Sequence, residues 1–296
     1  MWRGYALGAA AVLTLYVDDR DWAAGLLDRV VREIRRLESI FSLYQPDSAL
    51  SVLNRIGRLD APPSDLIRLL AEAQGYSEAS EGAFDATVQP LWILYTAHFA
   101  RPGADPNGPS PNELERALDL VDYRRIRFDE QHVVLERPKM ALTLNGIAQG
   151  YITDRITELL KASGLTSVLV DLGETRAVGV HPDGRPWRIG IRDPEVPAEL
   201  TRVIKLSDGA IATSAGMGTT FEHTGQHHHL FDPGSGRSAG RYLSVSVRAP
   251  TATAADALST TFSVLHPDQI RQTISVVGDV DVLAVSRDRQ LIRLSA

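Results

Sequence analysis

Apolar residues recur at three- and four-residue steps across residues 19–42, where Trp22, Leu26, Val30, Ile34, Leu37 and Phe41 alternate with Arg and Glu. That period puts one apolar stripe on a helix and predicts an amphipathic one there. Just before it, Leu13, Leu15 and Val17 alternate with Thr14 and Tyr16, the two-residue period of a strand. Pro62-Pro63-Ser64-Asp65 predicts a second helix start, capped by Ser64 or Asp65, with Leu66, Leu69, Leu70 and Ala73 as its stripe. The Pro- and Gly-rich stretch 101–111 predicts a loop. Residues 124–128 and 133–136 predict a hairpin, 146–163 a helix stopped by Gly164, and 167–172 a strand ending in Gly173. Strand-like runs follow at 187–191, 201–206, 227–231 and 242–248, then a helix at 253–265 and short strands at 282–285 and 291–294. Helices and strands mix without a strict βαβ rhythm. The expectation is an α+β fold of mixed or antiparallel sheets with packed helices. It would form one domain over 1–296, or two closely packed subdomains.

Composition narrows the function. The 296 residues are 44% hydrophobic and 23% charged, a balance typical of a folded globular chain. Net charge is −6 and Lys and Arg form no stripe, which argues against a general nucleic-acid binder. With no cysteine, disulfides, thiolate nucleophiles and Cys-ligated metals are excluded. The apolar run 5–17 resembles a signal peptide in outline, but it has one Arg before it and acids after it, and it reads better as a core strand. No stretch approaches the ~20 apolar residues of a membrane helix, so stable membrane insertion is not expected.

Four segments could carry chemistry. In Ala255-Asp256-Ala257-Leu258-Ser259-Thr260, Asp256 and Thr260 are four apart and share one helix face. A carboxylate beside a hydroxyl suits a hard cation such as Mg²⁺, although a capping Asp with a neutral Thr fits the spacing too. In residues 143–151 a strand would run through Asn145-Gly146 into a helix, where free amides suit phosphate and free carbonyls a cation. A plain strand–helix turn is the simpler alternative, since neither the Walker nor the dinucleotide glycine spacing is present. His227-His228-His229 would alternate on a strand, with a general acid or base among them or merely a polar strand. Gly82-Ala83-Phe84-Asp85 presents a ring and a carboxylate together, or a core Phe and a helix-capping Asp.

In order along the chain, these segments resemble the ApbE family, the FAD:protein FMN transferases. Residues 41–54 (FSLYQPDSALSVLN) are similar to its Ser-x-Tyr…Ser-x-Leu-Ser…Asn segment, and 82–91 to its GAFD-x-TV-x-PL segment. Residues 145–154 are similar to its GIAKGY…D segment, and 187–194 (WRIGIRDP) to its WxIGIxDP strand. Ala212-Thr213-Ser214, residues 229–236 and residues 255–260 complete the series. The resemblance implies a Mg²⁺-dependent enzyme that moves FMN from FAD to a Ser or Thr hydroxyl of an acceptor protein and releases AMP. FAD pyrophosphatase activity, or FAD binding with weak catalysis, is the alternative. It implies metal ligation by Asp256, Thr260 and the Gly146 carbonyl. It implies nucleotide contacts from Tyr44, Ala83, Phe84, Asp85, Thr143, Gln149 and Phe231, with Leu7 where members often have Met. His229 would assist proton transfer. Thr143 stands where an Asp is common and Gln149 where a Lys or an acid is usual; Ala215-Gly216-Met217 replaces Gly-Asp-Tyr and Ser235 replaces a Thr. The family's lipoprotein Cys is missing, which implies a cytoplasmic enzyme.

Overall fold

The N-terminal apolar run folds into two strands where the pattern predicts one. The computed structural model describes residues 2–6, 8–196 and 198–295. Leu7, between β1 (Trp2–Ala6) and β2 (Ala9–Leu15), lies outside the described residues. Ala11 and Leu13 of β2 are buried, as a core strand requires. Helix α1 (Arg20–Phe41) follows, with the Asp19 carboxylate accepting from the Asp21 and Trp22 amides at 3.0 and 2.9 Å. Its stripe from Leu26 to Phe41 is buried, while Trp22 in the first turn stays 41% exposed.

Next come α2 (Ala49–Ile56), β3 (Arg58–Asp60) and α3 (Ser64–Ala79). The expected cap of α3 is a correction: Pro63 holds the cap position, and no side chain bonds the free amides there. Asp65 instead is buried, accepting from the Tyr151 hydroxyl at 2.6 Å and from Arg36 at 2.8 Å. Helices α4 (Gln89–Phe99) and α5 (Pro111–Leu118) flank the predicted loop. The predicted hairpin forms as β4 (Ile126–Phe128) and β5 (His132–Leu135), with β3 joining β5. Helix α6 (Ala148–Ala162) ends before Gly164, whose φ of +92° is the left-handed stop expected of a glycine.

The rest builds the main sheet: β6 (Val168–Asp171), β7 (Thr175–Val178), β10 (Gly209–Ala215), β11 (Tyr242–Ala249), β12 (Asp281–Ser286) and β13 (Leu291–Ser295). The strands run in the order β1-β2-β6-β7-β10-β11-β12-β13, and every pairing is antiparallel. A separate hairpin is made of β8 (Trp187–Arg192) and β9 (Leu200–Leu206). Helices α7 (Ala252–Phe262) and α8 (Pro267–Val277) complete the chain. Alternation along β10 sorts the layers. Ala210 and Ala212 pack with Ala255 and Leu258 of α7, while Ile211 between them packs with Ile191 of β8. A second large cluster joins α1, α2, α3 and α6, and Tyr76 packs against both. The fold is thus α+β, as expected.

Two expected strands are corrections. Residues 227–231 form isolated bridges, Thr220 to His228 and Phe231 to Ser238, and no ladder. Their rings anchor loops instead: His227 Nε2 lies 3.1 Å from the Pro106 carbonyl, and His228 Nε2 lies 2.8 Å from that of Ala239. The segment before α6 joins no sheet and ends in a turn. The Asn54 amide brackets it, accepting from the Leu142 N–H at 2.7 Å and donating to the Leu142 carbonyl at 2.8 Å, while the Thr143 N–H donates to Ala86.

Candidate functional site

Helices α6 and α7 meet at Gly150. A Cβ there would lie 2.3 Å from the Ala252 carbonyl oxygen and 2.8 Å from Asp256 Cβ, so only glycine permits this approach. Asp154, one turn later, fastens the contact. Its carboxylate accepts from the Ala252 and Thr253 amides, each at 2.8 Å, and pairs with Arg176. A side chain of one helix thus satisfies the free amides of the next.

This packing also caps the first turn of α6. Gly150 is the third residue of α6, so its N–H is one of the amides that a helix start leaves free; here it donates to Asp256 Oδ2 at 2.9 Å. Gly146 lies just before the Ile147 cap, so its carbonyl stands outside the helix ladder. Gly146 also sits against Thr260, since a Cβ on it would lie 2.9 Å from Thr260 Oγ1. Gly146, Asp256 and Thr260 border one cavity, so a carbonyl, a carboxylate and a hydroxyl are within reach of a single ligand there. All three are hard oxygen donors, the set that magnesium takes alongside waters and substrate phosphates. Among the described residues no group of three or more His, Asp and Glu side chains could hold a metal. A cation here would therefore draw much of its shell from a ligand.

These groups form part of the wall of a cavity of about 520 Å³. Asp256, buried at 4% exposure, is held above the usual carboxylate range by burial, against the pull of the Gly150 N–H, with the nearby Asp154 charge adding to the rise. Glu174, between β6 and β7, also faces the cavity. Burial and then repulsion from Asp256 and Asp171 push it well up, against the N–H of Thr213. Two buried carboxylates that repel each other are eased by a cation between them. The residues present therefore fit a divalent ion.

His229 borders the same cavity. Its Nδ1 is 3.0 Å from the Thr219 carbonyl oxygen. A carbonyl only accepts, so that nitrogen carries the hydrogen and Nε2 keeps a lone pair. Burial lowers the ring below its ordinary value, although the Thr219 bond opposes the shift, so the imidazole is neutral near pH 7.

Ala83, Phe84, Thr143, Gln149 and Phe231 border the cavity as well. The Phe231 ring leans on Tyr95 and Phe221 at centroid distances of 5.1 and 5.8 Å. Asp85 borders it too, but its oxygens hold the turn together, accepting from Thr87 at 2.7 Å and from the Tyr123 N–H at 2.9 Å. Tyr44 is not among the lining residues and is 77% exposed. Glu174 and Trp92 add to the walls without a sign in the local pattern. An acid after Gly173 at the end of a strand reads as a solvated turn. Ser214, by contrast, lay within a flagged motif; its hydroxyl is 2.7 Å from that of Ser259.

The model of the ApbE family matches residues 7–284. The FAD:protein FMN transferase of Treponema pallidum is 32% identical over 293 residues, covering 91% of this chain and 79% of that protein. That of Haemophilus influenzae is 31% identical over 248 residues, with coverages of 80% and 71%. The structure of the ApbE protein from Thermotoga maritima superposes with a TM-score of 0.85 at 27% identity, covering 99% of this chain and 96% of that one. The apo flavinyl transferase ApbE of Pseudomonas stutzeri gives a TM-score of 0.80 at 27% identity, with coverages of 100% and 94%. With sequence, fold and cavity in agreement, this chain belongs to the ApbE family.

Proposed function

We propose that this protein binds FAD in the 520 Å³ cavity, moves its FMN half to a Ser or Thr hydroxyl of an acceptor protein, and releases AMP. The observation that carries the proposal is that Gly146, Asp256 and Thr260 border one cavity, with Gly146 packed against Thr260 and the Gly150 N–H bound to Asp256. Those three groups would hold Mg²⁺ against the FAD pyrophosphate. The ion would neutralise phosphate charge in a transfer that otherwise needs mostly alignment.

The chain's own groups do the rest. The acceptor oxygen bonds to the FMN phosphorus, and the phosphorus–oxygen bond to AMP breaks. The acceptor's proton goes to Nε2 of His229, the nitrogen left free by the Thr219 contact. Ala83, Phe84, Thr143, Gln149 and the backbone near Phe231 would line the nucleotide, and Asp85 would fix the turn that carries Ala83 and Phe84. Tyr44 would reach FAD only by turning in from the surface. The cavity draws walls from segments packed in both large clusters, which favours one functional unit over the described chain.

The test is incubation with FAD, Mg²⁺ and a candidate acceptor, followed by mass spectrometry. An acceptor heavier by one FMN phosphoester, with AMP released in equal amount, is expected. Free FMN with AMP and an unchanged acceptor would convert the assignment to FAD hydrolysis; unchanged FAD would reduce it to binding. Among the described residues no helix is long and apolar enough to cross a membrane.

A further inference from the structure

A second hollow, of about 420 Å³, lies against the first. Glu174, Thr213, Ala215 and Gly218 border both, so the two communicate across one shared wall. The second hollow takes its far side from residues 189–194, the WRIGIRDP segment to which the FAD cavity gives no role.

How those residues border it is informative. A hollow over the face of a strand meets every second residue, because side chains alternate. Here Ile189, Gly190, Ile191 and Arg192 all line it in succession, as when a hollow follows a backbone edge. Strand β8 pairs with β9 along one edge and, among the described residues, with no strand along the other. At residues 189–191 an edge without a neighbouring strand presents amides and carbonyls that an extended chain can join. The neighbouring ladder also stops here: β7 and β10 pair only as far as Thr175 with Ile211, and β10 runs on to Ala215 beside the hollow. At the rim Met217 is 57% exposed, an adaptable apolar surface for a bound side chain.

We propose that this groove is the docking site of the acceptor, which binds as an extended segment added to the open edge of β8 and so carries its Ser or Thr hydroxyl over the shared wall into the FAD cavity. The inference rests on the transferase reading above. A strand-like acceptor explains how one site can modify a protein without enclosing it. Main-chain bonds supply affinity, and alternate side chains enter or leave the groove.

The experiment uses the full chain, FAD, Mg²⁺, a whole acceptor protein and a nine-residue synthetic peptide spanning its modified residue. Two further peptides are N-methylated at alternate positions, one set on each edge. Methylation of the set facing β8 is expected to lower FMN transfer at least tenfold, and that of the opposite set to leave it within twofold. Met217→Arg is expected to lower transfer to the whole acceptor about tenfold, with the affinity for FAD and the melting midpoint unchanged. Equal effects of both methylated sets, or full transfer by Met217→Arg, would overturn the docking. So would modification of the whole acceptor but not of its peptide, which puts recognition on the folded partner. No transfer to either by the unaltered protein would remove the transferase reading itself, a distinct result.

Discussion

At the level of single residues, Asp256 has two duties that a conservative change separates. One oxygen accepts from the Gly150 N–H at 2.9 Å, a structural bond inside the helix contact. Its charge belongs to the cation seat. Asp256→Asn keeps an oxygen for the amide while removing the charge, so the packing should survive. Lewis-acid stabilisation is worth several kcal/mol, so turnover should fall on the order of a thousandfold, with a melting midpoint as high as the parent's because repulsion with Glu174 is relieved. AMP release and thermal unfolding measure the two effects; full activity in this variant would remove the metal assignment. His229 gives a prediction of pH. Its ring is held below 6.5 by burial, and a base works only when unprotonated. The rate should therefore be complete above pH 6.5 and fall as the pH drops through the lowered value. His229→Ala should slow transfer by roughly a hundredfold or more, leave FAD affinity in place and lose that limb of the profile. A normal rate would leave His229 a purely structural role.

At the level of elements, the contact of α6 with α7 sets the site. Gly150→Ala forces a methyl to within 2.3 Å of the Ala252 carbonyl oxygen, so the helices must separate. Overpacking of this kind costs about 1–3 kcal/mol. The greater effect should be on activity, because parting the helices moves Asp256 and Thr260 relative to Gly146 and the start of α6. Denaturant midpoint and AMP release together check this; a variant normal in both would show that the close approach is not what aligns the seat. The pair Asp256 and Thr260 was legible beforehand because one helical turn fixes their spacing whatever the fold around them. Helix α1 was legible for a similar reason, its stripe and its Asp19 cap both being local. What stayed hidden depends on distant chain. Helix α4 carries apolar residues on every side, so no stripe marks it. Strand β10, GAIATSA, has the small residues of a turn and becomes a strand by pairing with β11. The three histidines suggested alternation, but their rings satisfy carbonyls of other loops. Glu174 enters the cavity only because β6 and β7 turn beside α6, where the Thr153 hydroxyl donates to its carbonyl, which no short window encodes.

At the scale of the whole molecule, charge and shape make nucleotide and cation interdependent. The chain carries −6 overall, and three buried carboxylates border its cavity, of which Glu174 and Asp256 repel each other beside the place assigned to a pyrophosphate. FAD alone would bring further negative charge to them, and long-range repulsion would oppose binding. A divalent ion answers both, so each ligand should strengthen the other by the same factor, as linkage requires. A ligand that binds only the folded state at a hundred times its Kd adds about 2.7 kcal/mol to stability. Thermal unfolding should accordingly show little shift with FAD alone, little with Mg²⁺ alone, and a rise of several degrees with both. The synergy should vanish in Asp256→Asn, which has lost the charge that seats the ion. Because the cavity is walled by segments of both large clusters, the rise should appear as one cooperative transition. Strictly additive shifts would mean that FAD and the cation occupy separate sites, and the Asp256–Thr260 seat would then have to be given another role.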